Sequence, residues 1–287
     1  MKNIFKSIIV LIAVVFSGTL YAQTQSPKLE NSLLWEVSGN GLSKPSYLYG
    51  TIHMICSGDY FLSEKTKKAF DASDKLVLEI NLSDPKELTE MQQLAMGKEP
   101  LSKRLSPEQL SKLDAILKKS TGMTVQQVDA FSLVTVMSLI SMKTFGCNDL
   151  KFYEMDFIES AKKRSEEVIG LETVKLQFKT IDDAYTDPEM IEMLEQSDVE
   201  ETKQLVVDYK QENLNALYKN TTAENIMNTK AKKYMLDDRN LNWVKILPEM
   251  MAKQSVFVAV GSAHLAGDLG IINLLRKAGY TVKPIMN

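Results

Sequence analysis

Apolar residues follow two spacings along this chain, one typical of strands and one typical of helices. Residues 33–37 and 46–49 predict the strands of a hairpin, because the segment between them is rich in Gly, Asn, Ser and Pro. Lys75–Ile80 is an apolar run of the kind that is buried on both faces of a sheet. A helix predicted over residues 62–70, with Ser63 as its N-cap, connects the two regions.

The carboxyl end repeats this pattern, with a strand over residues 255–260, a helix over residues 269–277 and a last strand over residues 280–285. Residues 85–253 between the two ends are mostly helical, interrupted by one short strand at Glu167–Glu172. We therefore expect an α/β fold, in which two βαβ-like halves form a mixed, mainly parallel sheet around a large central helical insertion.

One helix, predicted over residues 124–145, has almost no polar face. Such a helix belongs in a protein core, and its position in the chain also permits a second role as the wall of a groove. The core is the favoured interpretation.

The first 22 residues have the pattern of a secretory signal peptide. Two lysines precede an apolar stretch over residues 7–20, and the small residue Ala22 offers a cleavage point. The stretch is short for a membrane span, so we expect no transmembrane anchor after cleavage, and a periplasmic or extracellular location.

Residues 23–287 are enough for one sizeable core and suggest a single domain. The formal net charge is −3, with acids and bases scattered along the chain. We therefore expect no nucleic-acid partner, because binding to a phosphate backbone requires a concentrated basic surface. Oligomeric state does not follow from the sequence.

Cys56 and Cys147 are the two cysteines of the chain. In an oxidising compartment they can form one disulfide, which would stiffen the segment after His53. Two buried free thiols are the alternative.

Both histidines of the chain follow a glycine by three residues, in Gly50–His53 and Gly261–His264, although only 13 of the 287 residues are glycine. Each motif comes directly after a predicted strand. Since ligands gather at the carboxyl ends of parallel strands, the two histidines are expected to share one site. For a single histidine, a structural role would be the better interpretation.

Two imidazoles and a carboxylate can bind a divalent transition metal. Glu79 is the candidate third ligand, because a carboxylate in an apolar strand needs a cation or hydrogen-bond donors. Arg239 and Asn240 are candidates for holding substrate or an oxyanion, with a structural bridge as the competing role. Further candidates for contacts around the site are Glu154, Asp156, Glu172 and Gln177. Ser262 as a nucleophile served by His264 is also conceivable.

Five segments together carry a family resemblance: Tyr47–His53, Leu78–Glu79, Gly170–Thr173, Arg239–Asn240 and Val260–Gly267. In these segments the chain resembles the TraB/GumN family, which is related to the Tiki metalloproteases and to PrgY. The resemblance implies a fold like that of erythromycin esterase and ChaN. It also implies a metal-dependent hydrolase site at His53, Glu79 and His264, with Arg239 and Asn240 in a further motif.

An exported metal-dependent peptidase is therefore the leading hypothesis, with Glu79 as ligand or general base and Mn, Co or Zn as the metal. A peptide or protein would be the substrate. The alternatives are a protein that binds haem or a metal without catalysis, a protein that sequesters a peptide, and a serine hydrolase.

Overall fold

The computed structural model describes residues 28–286, so the predicted signal peptide lies outside the described residues. The strands in this part of the chain are β1 (Leu34–Ser38), β2 (Ser46–Thr51), β3 (Met54–Cys56), β4 (Lys75–Ile80), β5 (Leu150–Phe152), β6 (Glu167–Glu172), β7 (Val256–Gly261) and β8 (Thr281–Pro284). The helices are α1 (Glu64–Asp71), α2 (Pro85–Ala95), α3 (Leu101–Arg104), α4 (Pro107–Thr121), α5 (Val125–Val128), α6 (Leu133–Thr144), α7 (Tyr153–Lys163), α8 (Val174–Ala184), α9 (Asp187–Gln196), α10 (Val199–Lys210), α11 (Leu214–Thr221), α12 (Thr229–Lys232), α13 (Asp238–Lys253) and α14 (Ile271–Lys277).

Six strands form one mixed sheet in the order β6-β4-β7-β2-β1-β8. The four strands β6, β4, β7 and β2 are parallel to one another, and β1 is antiparallel to both β2 and β8. The predicted α/β class and mainly parallel sheet are confirmed. The two halves interlock, because β7 from the carboxyl end lies between β4 and β2 from the amino end.

The alternation of side chains explains why the sheet is buried on both faces. Along β7, Val256 and Val258 pack with α13 and α14, while Phe257 and Ala259 pack with α1 and α7 on the opposite face. The strand is buried along its whole length, which is why it reads as a continuous apolar run.

Helices α3 to α6, α8, α9 and α12 build a separate apolar cluster, which we call the helical lobe. The helix predicted over residues 124–145 is divided in two. Ser132 interrupts it because its side chain caps α6 and its backbone N–H donates to the carbonyl of Ala95. Within residues 28–286, none of the helices has both the length and the apolar character needed to cross a bilayer.

Candidate functional site

Four neighbouring parallel strands end at the same edge of the sheet, and each supplies a polar side chain there. Glu172 ends β6, Glu79 lies near the end of β4, and His264 follows β7. His53 follows β2, the next strand along. These four side chains define the candidate site, at the position where open α/β sheets bind ligands.

The first turn, Gly50–His53, passes directly into a short antiparallel ribbon of β3 and β5. The carbonyl of His53 accepts a hydrogen bond from the backbone N–H of Tyr153, immediately after β5. His53 has a φ of 61°, in the left-handed region that few residues with a side chain adopt. The ribbon therefore holds His53 in a costly conformation that aims its ring at the sheet edge.

The ring of His53 is oriented by a carboxylate. Its Nδ1 lies 2.9 Å from Oε1 of Glu154, the second residue after β5. Thr51 donates to the same oxygen at 2.7 Å and accepts from the backbone N–H of His53. A carboxylate at Nδ1 leaves Nε2 available to the site, as in many histidines that bind metals or accept protons.

The second turn, Gly261–His264, ends in a short 3-10 turn and buries its histidine. Asn240 lies beneath the ring: its amide nitrogen donates to the carbonyls of His264 and Leu269, so its Oδ1 must accept from Nδ1 of His264, 2.6 Å away. This bond fixes the tautomer with the lone pair on Nε2.

Both histidines present Nε2 to one oxygen. The Nε2 atoms of His53 and His264 each lie 3.8 Å from Oε1 of Glu79. The same oxygen accepts the backbone N–H of Gly261 at 2.8 Å. Two imidazoles and a carboxylate thus converge on one small region.

The two motif glycines have different roles. A Cβ on Gly50 would lie 3.0 Å from the Cα of Ser262, so this glycine lets the two turns pack against each other. A Cβ on Gly261 would lie 2.9 Å from Nε2 of His53 and 3.3 Å from Oε1 of Glu79. Gly261 therefore keeps open the space between the converging donors.

Arg239, in the first turn of α13, is buried and uses all of its donors within the protein. Its Nε and Nη2 donate to Glu172, and Nη2 also donates to Glu79 at 2.6 Å. Its Nη1 donates to the carbonyl of Met235, in the π-helical turn Lys233–Asp237, and to Nε2 of His264 at 3.0 Å. A guanidinium has five N–H donors, and all five are engaged.

The ion pairs shift the acidity of each group. Burial opposes the charge of Glu79, but Arg239, the two histidines and the backbone N–H of Gly261 together outweigh it and hold the pKa of this carboxyl well below its usual range. For Glu172 the balance is the opposite: burial outweighs the attraction of Arg239 and raises the pKa of this carboxyl. Glu79 is therefore a persistent anion and a poor proton acceptor.

The two histidines shift in opposite directions. Burial and the adjacent Arg239 lower the pKa of His264 to about 3, so its ring is neutral. For His53, desolvation opposes the charge, but Glu154 and then Glu79 outweigh it and raise the pKa to about 9. Because the His53 side chain is 54% exposed, solvent screens part of this attraction.

The donor set matches the chemistry of a divalent transition metal, whose preferred protein ligands include imidazole and carboxylate. In a tetrahedral site with bonds of about 2.0–2.1 Å, ligands lie about 3.4 Å apart, so the two 3.8 Å separations are slightly wide. Among residues 28–286, no three His, Cys, Asp or Glu side chains already enclose a metal position. Arg239 would have to release Nε2 of His264 for all three donors to bind one ion.

A model of the TraB/PrgY/gumN family matches residues 33–284. The chain belongs to this family. It is 23% identical over 322 residues to a protein named metalloprotease TIKI1 from Danio rerio, in an alignment that covers 91% of this chain. It is 25% identical over 317 residues to metalloprotease TIKI1 from Xenopus tropicalis, covering 88% of this chain.

The chain spans 65% and 61% of the length of these two TIKI1 relatives. A shorter segment is 38% identical over 76 residues to metalloprotease TIKI2 from Danio rerio, covering 25% of this chain and 15% of that protein. The family resemblance that the motifs indicate is therefore confirmed.

Most of the candidate residues of this TraB/PrgY/gumN chain meet at the site. His53, His264 and Glu79 converge there with Glu154 and Glu172, and Gln177 donates to both Glu79 and Glu172. Asp156 does not reach the site, because its side chain bonds to Tyr60.

Two of the candidate residues have their polar groups engaged by other parts of the protein. Asn240, a candidate substrate contact, is fully buried at the Nδ1 edge of His264 and has its amide engaged there. Arg239, a candidate for substrate or oxyanion binding, has its donors occupied by Glu79, Glu172, Met235 and His264. Both are positioning residues in this arrangement.

The predicted disulfide between Cys56 and Cys147 is present. Cys56 is the last residue of β3, so the bond lies at the far end of the ribbon from His53 and Glu154.

The ribbon of β3 and β5 was not predicted from the sequence. The three-residue runs Met54–Cys56 and Leu150–Phe152 are too short to predict as strands, although Cys56 in the first run and Cys147 shortly before the second were a signal that these segments meet.

Proposed function

We propose that this protein is an exported metal-dependent hydrolase that cleaves peptides, with His53, Glu79 and His264 as the metal ligands. The observation that carries the proposal is the convergence of both Nε2 atoms on one oxygen of Glu79, each at 3.8 Å. Three ligands with one open position are typical of catalytic rather than structural metal sites.

The balance of charge supports a bound cation. Three carboxylates, from Glu79, Glu154 and Glu172, meet at the site with a single arginine. Buried carboxylates require compensating charge, and in the absence of metal the raised pKa of His53 meets part of this need with a proton.

When bound, the metal would polarise the scissile carbonyl and acidify a water molecule. The protein residues hold its ligands: Glu154 orients His53, Asn240 orients His264, and Arg239 with Gln177 holds Glu79. The low pKa of Glu79 favours the ligand role over the role of general base.

Peptide as the substrate follows from the relatives, and export as the location follows from the disulfide and the sequence. The homologous TIKI proteins are named metalloproteases, and each alignment leaves part of those proteins uncovered. The disulfide and the signal-peptide pattern of residues 1–22 agree with an oxidising compartment.

A second candidate is hydrolysis without metal, with His53 as general base at alkaline pH, where its ring loses the proton that its raised pKa of about 9 retains at neutral pH. The contact between Arg239 and Nε2 of His264 favours it, because this contact occupies the lone pair that a metal would need. A serine mechanism has less support. Both ring nitrogens of His264 already have partners in Asn240 and Arg239, so the ring has no free nitrogen to serve Ser262.

The test uses the mature chain, residues 23–287, loaded separately with Mn, Co or Zn. Metal content is measured by elemental analysis, and cleavage of a mixed peptide library by mass spectrometry. We expect about one ion per chain and new peptide products, both lost in His53→Ala and His264→Ala. Glu154→Gln should weaken metal binding about 10- to 100-fold. Asp156→Asn is the matched control in the same helix and should change neither.

Full cleavage by metal-free protein, abolished in His53→Ala, would establish the second candidate instead. Metal binding or tight peptide capture without products would show a binding protein, and a Soret band on adding haem would identify the haem-binding form.

A further inference from the structure

One face of α6 is left uncovered by the core of the helical lobe. Leu133, Val136 and Ile140 of this helix are buried in the lobe. Val134, Met137, Ser138, Ser141 and Met142 repeat at the spacing i, i+3, i+4, i+7 and i+8, which places them along a second stripe. This stripe lines an open groove.

The opposite wall of the groove comes from several elements. Ile181 of α8, Met193 of α9 and Met235 of the π-helical turn face it from the helical lobe, and Met54 and Phe152 face it from the ribbon. All described residues that line the groove are uncharged, and five of them are methionines. We call it the methionine groove.

Residues that line the methionine groove neighbour the candidate site on two sides. Met54 follows His53 directly and pairs with Phe152 across the ribbon, two residues before Glu154. On the other side, the carbonyl of Met235 accepts a hydrogen bond from Arg239. The ribbon and the π-helical turn before α13 therefore contribute residues to the groove and contacts to the site.

The geometry points to the methionine groove as the subsite that binds apolar side chains of a peptide substrate, next to the bond that is cleaved. This inference rests on the proposed function and adds a substrate class to it: segments that carry Leu, Met, Phe or similar residues. The carboxylates at the sheet edge offer nothing to an apolar side chain, whereas the adjoining groove offers an uncharged surface.

Size and flexibility agree with this occupant. The groove has a volume of about 410 Å³, whereas a cavity of about 150 Å³ already admits benzene, so there is room for more than one large side chain. Methionine side chains adapt to different apolar shapes, so the subsite should accept several apolar residues rather than one.

The first measurement is binding to the full mature chain after chelator treatment, with two fluorescein-labelled peptides of equal length and net charge. One carries adjacent Leu and Phe residues, and the other carries Ser and Gln in their place. We expect the apolar peptide to bind at least about tenfold more tightly, by fluorescence anisotropy.

Ser138→Trp fills the groove from an exposed position on α6, and should weaken apolar binding by about tenfold or more. Ser111→Trp, at an exposed position on α4 that does not line the groove, is the matched control and should leave binding unchanged. Circular dichroism and the mid-point of thermal unfolding confirm that both variants fold.

The second measurement maps cleavage sites in the peptide library with metal-loaded protein, and apolar residues should be enriched beside the cleaved bonds. Cleavage without this enrichment, together with equal binding of the two peptides, would overturn the inference while leaving the proposed function intact. Apolar binding that Ser138→Trp weakens, with no cleavage under any condition, would support the subsite and contradict the hydrolase. Dimerisation by light scattering that Ser138→Trp abolishes, without peptide binding, would show that a second copy occupies the groove.

Discussion

The two Gly-x-x-His turns share a motif and differ in almost everything around it. His53 is half exposed, has a positive φ and is held by a carboxylate through the ribbon. His264 is 4% exposed, stacks near Trp243 and is held by an amide and an arginine. The surroundings raise the pKa of His53 and lower the pKa of His264.

The difference shows how one motif can place two imidazoles for unlike tasks. The second turn is a rigid part of the core, in which Asn240 and Arg239 decide the tautomer and position of the ring. The first turn lies at the surface, where the ring of His53 is accessible to solvent. A site that binds ligand between them would combine one fixed wall with one accessible wall.

The largest expected effect comes from removing Arg239, the partner of His264, and it contrasts with removal of Glu154, the partner of His53. Arg239→Gln leaves Glu79 and Glu172 buried without their cation, so the free energy of unfolding should fall by about 3–5 kcal/mol. Glu154→Gln affects a half-exposed pair and should cost less than about 1 kcal/mol. Urea denaturation of the metal-free chain measures both. Equal losses would show that the two turns are equally embedded.

Substitutions of the two motif glycines should have different effects on the stability of the fold and on metal binding. Gly50→Ala brings a methyl group against the backbone of Ser262 and should destabilise the fold by about 1–3 kcal/mol. Gly261→Ala meets the half-exposed ring of His53, which can shift outward into solvent, so it should cost less than about 1 kcal/mol and still block the space between His53 and Glu79.

Calorimetric titration with Mn and Zn, beside thermal unfolding, distinguishes the two glycine variants. Gly261→Ala is expected to lose metal binding and Gly50→Ala to retain it in the folded fraction. If Gly261→Ala binds metal normally, the ion does not lie between those two donors.

The smallest effect is the dependence of stability on pH in metal-free protein. The pKa of His53 is raised to about 9, so its stabilising proton is fully present below about pH 6.5 and is lost as the pH rises through about 9. The pKa of His264 is lowered to about 3, so its contribution has the opposite sign and is lost as the pH falls below about 6.5.

Unfolding curves between pH 5 and pH 10 should therefore show reduced stability at both ends, by a modest amount at the alkaline end because solvent screens His53. Glu154→Gln should flatten the alkaline limb and leave the acidic limb unchanged. An alkaline limb that persists in Glu154→Gln would contradict the assignment of that proton to the pair of His53 and Glu154.

The regular elements and the meeting of the two turns could be predicted from the sequence. Lys75–Ile80 and Glu167–Glu172 are strands with the predicted bounds, and Ser63 caps α1. These features depend on local patterns of apolar residues and on capping side chains, which act over a few neighbouring residues. The same alternation predicted that both histidines follow strand ends.

The partners of each histidine could not be predicted, because they come from distant parts of the chain. Glu154 reaches His53 only through the pairing of β3 with β5, and nothing in its local sequence distinguishes it from Asp156, which turns toward Tyr60. The break in the helix predicted over residues 124–145 has a similar cause, since Ser132 bonds to Ala95 of another helix.

The sequence by itself determined the α/β class, the central strands and the approach of His53 to His264 and Glu79, and it left the two cysteines either paired or free. The tertiary structure decided what each of these groups can do. It buried Arg239 and Asn240 as supports of Glu79 and His264, and it placed Glu154 against His53. It also turned one face of α6 toward an open groove. Ionisation, tautomer and access depend on burial and on neighbouring charges in space, and only the folded chain brings those together.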